Sequence, residues 1–590
     1  MGKETRESLV HAAIAAAAVA VRLAYLLPTL VIAPAAFAPV LDAEVVWSQS
    51  ESLAALFPAE AFHQAPLYPI LVFLARRLTG SLRSVLLVQI ALDGVQTYLV
   101  CRIARRYGSW PARSAGLVYA LAPAPAFFGT RLLSTTLAGA LTGAWLLGTG
   151  WLLDAPSRGR AIAAGAVTAI LVLNRPSDLL LVLLVPMLAR SARVAIPFVL
   201  AAALGVLPAT IYNATRERGL VVVSWNMGET FYHGNNPNAD GGIGEVDELS
   251  MNIVTQAAEA RQAASIALGR RATASETNRF FFGKGLRFLT GNPGRAARLV
   301  AAKALRVVSP TDYPAEYDLA MEIREIPSIL RFLPFRGLLL LVLWSAGLAL
   351  LLADGAARRL AISRLLLAHA ACQVAVMLVF FVFSRYRMAL FPAQAVLAGI
   401  ALARIAGAAR ARALRPIAAP LAAAAAASAA IALGTSREEV SHAMFFHNLA
   451  THEAEAGRRE RAIALEERAI QEDPRRMHLY RFLAQQDATL GRSLEALQAI
   501  DRALAVVPET ADARNDRGTF LAALGRREEA LADYRRASEL DPMSPLPWCN
   551  AALMFIDEGR KDDARTAVRR ALEVSPGFEP ALELAKRLGP

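Results

Sequence analysis

Apolar residues fill the first 434 positions in long blocks, and beyond them they settle into a 34-residue period. The blocks lie near residues 9–33, 82–103, 114–132, 135–153, 161–177, 179–190, 194–213, 337–354, 361–384, 388–404 and 416–434. A bilayer core takes about 20 apolar residues per helix, so the pattern predicts eleven membrane-spanning helices. The block at 179–190 is short unless the hinge from Asn174 to Asp178 lengthens it. The run APLYPILVFLA (65–75), closed by Arg76 and Arg77, is too short to span and predicts a helix lying in the interface. Two stretches are too polar for lipid. Residues 34–64 carry Asp42, Glu44, Glu51 and Glu60, and residues 214–336 are rich in Asn and Gly, with an amphipathic helical pattern over roughly 257–308. With the interfacial run included, the two polar regions are 34–81 and 214–336.

The second half of the pattern is a repeat. Gly457, Gly491, Gly525 and Gly559 stand 34 apart, and the same step relates Ala462, Ala496, Ala530 and Ala564. It also relates Ala469, Ala503, Ala537 and Ala571, and finally Pro474, Pro508, Pro542 and Pro576. Small alanines let paired helices approach, glycine ends the first helix and proline stops the second. Four sets at one period predict tetratricopeptide repeats near 443–476, 477–510, 511–544 and 545–578, with a capping helix from Glu579 to Leu588. The fold class is all-α: a polytopic helical domain over 1–434 followed by an α-solenoid over 435–590. The solenoid either spaces the protein or holds a protein or peptide partner.

Charge sets the orientation. Residues 435–590 hold 23 Lys and Arg against 27 Asp and Glu, a balance of −4, so the first 434 residues carry +17 of the chain's net +13. With 55% hydrophobic and 19% charged residues, a single soluble domain is excluded, and the basic balance reflects arginines in loops rather than nucleic-acid binding. With the N-terminus inside, eleven spans place Arg102, Arg105, Arg106, Arg113, Arg158, Arg160, Arg358 and Arg359 on the cytoplasmic side. Counting 65–75 as a span would invert them all. Both polar regions and the repeats then fall outside. The first block ends in Ala36-Phe37-Ala38, as a signal peptide does, but Arg22 interrupts it and it reads as an uncleaved helix. Arg22 at mid-span faces the protein interior, either paired structurally with an internal partner, the favoured reading, or in contact with the lipid phosphate. Cys101, Cys372 and Cys549 lie apart and predict no disulfide framework.

No HExxH, P-loop, GxSxG or CxxC pattern is present. The order LDAEVVW, FHQAPLYP and a helix closing in ARRYG instead resembles the C-type (GT-C) polytopic glycosyltransferases. This superfamily includes the dolichyl-phosphate-mannose protein mannosyltransferases and the bacterial aminoarabinose transferases. WNMGETFYHGNNPNADGG (225–242) is similar to a Gly-Gly-x-x-Phe-Tyr-x-Gly-Asn-Asn-Pro signature of bacterial members, with Met227 in place of the first glycine. FSRYRMALFP (383–392) resembles their Arg-Tyr-Arg-x-x-x-x-Pro element. The resemblance extends in order over about residues 10–410.

It implies a transferase that moves a sugar from a polyprenyl-phosphate carrier to an acceptor protein or glycan at the periplasmic face of a bacterial inner membrane. Such chemistry needs a base for the acceptor and cations or donors for the departing phosphate. Asp42 matches the family's catalytic carboxylate, with Glu44 as the fallback. His63 and Tyr68 lie in the element that would frame the sugar. Asn235 and Asn236 would hydrogen-bond the sugar or form only a tight turn. Arg385 and Arg387 would clamp the lipid phosphate or merely snorkel. The motifs specify no cofactor, and a divalent ion on Asp42 and Glu44 stays open. Two other classes also stay open: a non-catalytic scaffold assembling a periplasmic complex through its repeats, and, less favoured, a transporter.

Overall fold

The computed structural model describes residues 2–244, 246, 249, 253–436 and 440–589. Among them every regular element is a helix, and the β content is one isolated bridge between Val246 and Leu249. The chain divides into two compact units, Met1–Val440 and Ser441–Pro590.

In the first unit the apolar blocks become helices. Seven among the described residues are long and apolar enough to cross a membrane: Glu4–Ile32, Leu82–Tyr107, Thr135–Asp154, Ala192–Arg216, Ala361–Val379, Ser384–Arg410 and Arg415–Thr435. Pro176–Ala189 and Gly337–Ala353 are apolar but shorter. The block at 114–132 departs from the expectation of one span. Its helix Ser109–Ala120 stops, and a second short helix, Pro123–Phe128, follows. Pro123 drives Ala122 to an extended conformation (φ −88°, ψ 135°) and removes a backbone donor. Pro176 likewise ends the helix Arg158–Asn174. The 65–75 run forms Leu67–Thr79, a 13-residue helix too short to span, with Gly80 at φ +72° ending it.

The apolar core of this unit joins Tyr25, Leu86, Phe127, Trp145, Phe198 and Val396 from separate helices. Two ion clusters are sealed within it. Arg22, wholly buried, donates to Asp93 at 2.5 Å and to the carbonyls of Ala120 and Tyr119, while the Tyr119 hydroxyl donates to Asp93 at 2.9 Å. Arg131, also buried, lies 2.9 Å from Glu322 and donates to the Tyr25 hydroxyl at 2.7 Å, and Tyr25 in turn donates to Glu322. The rings of Phe37 and Phe127 stand 4.4 and 4.5 Å from the Arg131 guanidinium. Charges this deep persist because each is paired.

The second unit is a helical-hairpin array with the predicted register. Its pairs are Ala443–Glu455 with Arg459–Glu472, Met477–Thr489 with Ser493–Val506, Ala511–Ala523 with Arg527–Leu540, and Leu546–Asp557 with Lys561–Val574. Helix Glu579–Leu588 follows and packs Ala581 and Leu584 against the last pair. Gly457, Gly491, Gly525 and Gly559 sit at φ +73° to +77°, ending each first helix in the left-handed region. All eight repeat alanines, such as Ala503 and Ala530, are fully buried, which explains the size constraint at those positions. Ala503→Leu is therefore expected to overpack its hairpin and lower stability by about 1–3 kcal/mol, read as a drop in the unfolding midpoint of the repeat unit in urea.

Candidate functional site

Four sequence elements that are far apart in the chain converge. Trp225 N–H donates to the Phe62 carbonyl at 3.1 Å, tying 225–242 to the first polar region, and Phe62 N–H donates to Asn213 at 2.9 Å. Val382 N–H donates to the Gly241 carbonyl at 2.9 Å, tying the same segment to 383–392. Glycines permit this packing. A Cβ on Gly234 would stand 1.9 Å from the Phe380 carbonyl oxygen, and one on Gly228 would stand 2.0 Å from that of Asn278. Both neighbours are backbone and cannot yield cheaply. Gly234→Ala is therefore expected to cost at least about 1–3 kcal/mol and to lower the thermal midpoint of the detergent-solubilised protein.

Asp42 opens the helix Asp42–Gln49. Its Oδ2 accepts from Arg385 Nη1 at 2.6 Å, and its Oδ1 accepts a long 3.5 Å bond from Gln64. The same Arg385 nitrogen donates to Glu316, and Nη2 donates to the Tyr386 hydroxyl at 2.7 Å. Arg385 thus binds two carboxylates and stacks on Tyr386, 4.7 Å from its ring centre. Glu316 is nearly sealed from solvent while Asp42 keeps about a quarter of its side chain exposed. Burial, aided by the Asp42 charge and opposed by Arg385, pushes the Glu316 carboxyl up to about 6. A buried acid with a raised value destabilises the fold as pH climbs from 4.5 to about 6 and keeps that cost above. Glu316→Gln should therefore gain thermal stability over wild type across that window and hold a constant advantage at higher pH, measured as the difference of melting midpoints.

The remaining predicted residues separate. Glu44 lies two positions from Asp42 on the same helix, exposed, so the two side chains point apart. That geometry does not fit a shared divalent ion, and the charge facing Asp42 is already a guanidinium. Among the described residues no group of three or more His, Cys, Asp or Glu clusters as a metal set. Arg387 does not join Arg385: it donates to the carbonyls of Thr311 at 2.8 Å and Arg306 at 3.2 Å. Tyr68 is buried with its hydroxyl donating to Gln89 at 2.9 Å. Asn236 donates to the carbonyls of Tyr232, His233 and Gly244 and accepts from Asn238 N–H, the pattern of the tight-turn alternative. Asn235 likewise donates to Phe231 and Val379 and accepts from Lys303 at 2.9 Å. Lys303 is fully buried, which pulls its ammonium down to about 8.

His63 is placed differently. Its Nε2 lies 3.1 Å from Glu229 Oε2 and its ring meets Trp225 edge-on at 4.5 Å. Burial raises the Glu229 carboxyl and His63 opposes the shift. Sequence reading missed Glu316, Glu229, Arg131 and Asp93. The last two interrupt apolar blocks and so carried a signal; the first two look like ordinary acids in polar stretches.

A model of the tetratricopeptide repeat matches residues 511–542. No curated protein matches the chain. Among solved structures, the chain is similar to YrrB, described as a tetratricopeptide-repeat protein with an unusual peptide-binding site, at 22% identity over 25% of this chain and 75% of that one, with a TM-score of 0.23. PilW, a type IV pilus biogenesis factor, is 23% identical over 25% of this chain and 68% of its own, with a TM-score of 0.23. The Cut9–Hcn1 hetero-tetramer structure aligns over 88% of this chain and 96% of that one at 13% identity, with a TM-score of 0.25. The family match supports tetratricopeptide repeats in the second unit; TM-scores this low fix nothing about the first.

Proposed function

We propose that the chain is a multi-pass membrane glycosyltransferase that moves a sugar from a polyprenyl-phosphate donor to an acceptor at the periplasmic face of a bacterial inner membrane. One observation carries the reading. Asp42 meets Arg385, 343 positions away, at 2.6 Å, joining the two elements that the glycosyltransferase resemblance had singled out separately. Asp42 remains partly open to solvent, where it can take the proton of an acceptor hydroxyl or amine as the acceptor attacks the sugar, with inversion at the anomeric carbon. Arg385 offers the positive charge that a departing lipid phosphate requires. With Asp42, Glu316 and Arg385 all ionised, the trio carries one net negative charge and repels a phosphate. Protonating Glu316 makes it neutral, so donor binding is favoured toward the acidic side of about 6.

The repeats, read as lying on the same side, would present the acceptor or hold a protein or peptide partner. The rival reading is a membrane-anchored scaffold for a periplasmic complex, favoured by the repeat match at 511–542. The test is reconstitution in vesicles with radiolabelled polyprenyl-phosphate sugar and total membrane protein or glycan as acceptor. Loss of label from the lipid fraction supports the transferase. A scaffold leaves the label in the lipid, with function abolished by deleting residues 441–590 but not by altering Asp42.

A further inference from the structure

Away from the Asp42–Arg385 cluster, arginines gather around one exposed tryptophan. Arg385 and Arg410 lie at the two ends of the span Ser384–Arg410, roughly 35–40 Å apart along the helix at ~1.5 Å per residue. The two places therefore belong to opposite leaflets. The helix Ser109–Ala120 packs along this span and begins beside Arg410. Trp110, in its first turn, is 55% exposed. The Arg410 guanidinium stands 4.9 Å from the centre of its ring, and that of Arg113 stands 5.9 Å away.

The protein answers only part of this charge. Glu7 holds Arg113 at 2.7 Å, yet Arg113 keeps about a third of its side chain exposed. Asp154 holds Arg106, also at 2.7 Å. Arg410 donates its Nε to the Ala406 carbonyl of its own helix at 3.1 Å. Among the described residues neither Arg410 nor Arg105 forms an ion pair, and the carboxylate within electrostatic reach of Arg105 is Glu7, which Arg113 already engages. Apolar surface adjoins the charge. Leu117, two turns on from Trp110 along the same helix face, is 43% exposed. The space over Gly407, one turn from Arg410, is open: a Cβ there meets nothing within 4 Å.

A ligand that fits brings negative charge to the guanidiniums and a hydrocarbon chain to lie along Trp110 and Leu117. Free phosphate meets the first demand only, and a zwitterionic lipid carries its own cation to the arginines. The geometry points to a binding site for an anionic diacyl phospholipid, with its phosphodiester held by Arg410 and Arg113 at the Trp110 ring and an acyl chain against Leu117. Arg105 adds to the attracting field without touching the lipid. The site requires that the chain cross a membrane, and it serves a transferase and a scaffold alike.

The test is tryptophan fluorescence of the full chain in vesicles whose acyl chains are brominated on either phosphatidylglycerol or phosphatidylcholine, at equal mole fraction. Trp110→Phe supplies the background of the other tryptophans. The Trp110 component should prefer phosphatidylglycerol at least about fivefold, the worth of one arginine near a charged lipid surface. Arg410→Gln should bring the preference below twofold with an unchanged melting midpoint, and Arg410→Lys, which keeps the charge, should retain it. Should Arg410→Gln fail to fold, wild type in about 1 M salt decides: screening over ~3 Å should bring the preference toward one. Equal quenching by both lipids in wild type, a preference unchanged in Arg410→Gln or in high salt, or displacement by polyprenyl phosphate more readily than by unbrominated phosphatidylglycerol overturns the site.

Discussion

Asp42→Asn is expected to lower the rate of sugar transfer by roughly 10²–10⁴, the usual worth of a positioned general base, while leaving the fold intact. Asparagine keeps the shape of the side chain, and its Oδ1 still accepts from Arg385, which remains anchored by Glu316 and Tyr386. What disappears is the oxygen able to take a proton. On the proposed mechanism the loss falls on kcat while the KM for the lipid donor decreases, because removing the Asp42 charge also removes its repulsion of the phosphate at Arg385. Initial rates in vesicles at saturating donor, with size-exclusion profiles matched between variants, check it. A rise in KM without a fall in kcat would make Asp42 a binding residue instead.

The second large effect lies in the buried pair at the first helix. Asp93→Ala leaves Arg22 charged, wholly buried and answered only by two carbonyls. Removing one member of a buried pair typically costs about 3–5 kcal/mol, so the variant should show a sharply lower melting midpoint in detergent or fail to accumulate as a monodisperse protein. The double variant Arg22→Leu, Asp93→Leu removes both charges and should recover most of that loss, because the penalty is that of an orphaned charge. Additive losses in the double variant would instead mean that the two residues contribute independently.

Much of the architecture could be read from residue pattern. Apolar blocks and a 34-residue step are one-dimensional signals, and the repeat register survives down to each left-handed glycine and each buried alanine. The block at 114–132 holds two helices where apolarity alone predicts one, because Pro123 has no backbone donor and breaks the run. Asp42 and Arg385 were found as separate candidates, and their pairing is a tertiary fact. Glu316 and Glu229 escaped for a related reason: nothing local marks which acid in a polar stretch will be buried against an arginine or a histidine. Asn235, Asn236 and Tyr68 illustrate the reverse. They belong to signature-like segments, yet their polar atoms hold the segments together through Val379, Gly244 and Gln89.

Whether Asp42 and Arg385 face the same lipid-linked sugar is tested most directly by a cryo-electron-microscopy map of the full chain in nanodiscs with a polyprenyl-phosphate sugar. Phosphate density is expected within hydrogen-bond reach of Arg385, with the sugar ring turned toward Asp42. Lipid phosphate bound elsewhere, with Asp42 and Arg385 still closed on each other and on Glu316 at saturating donor, would contradict it.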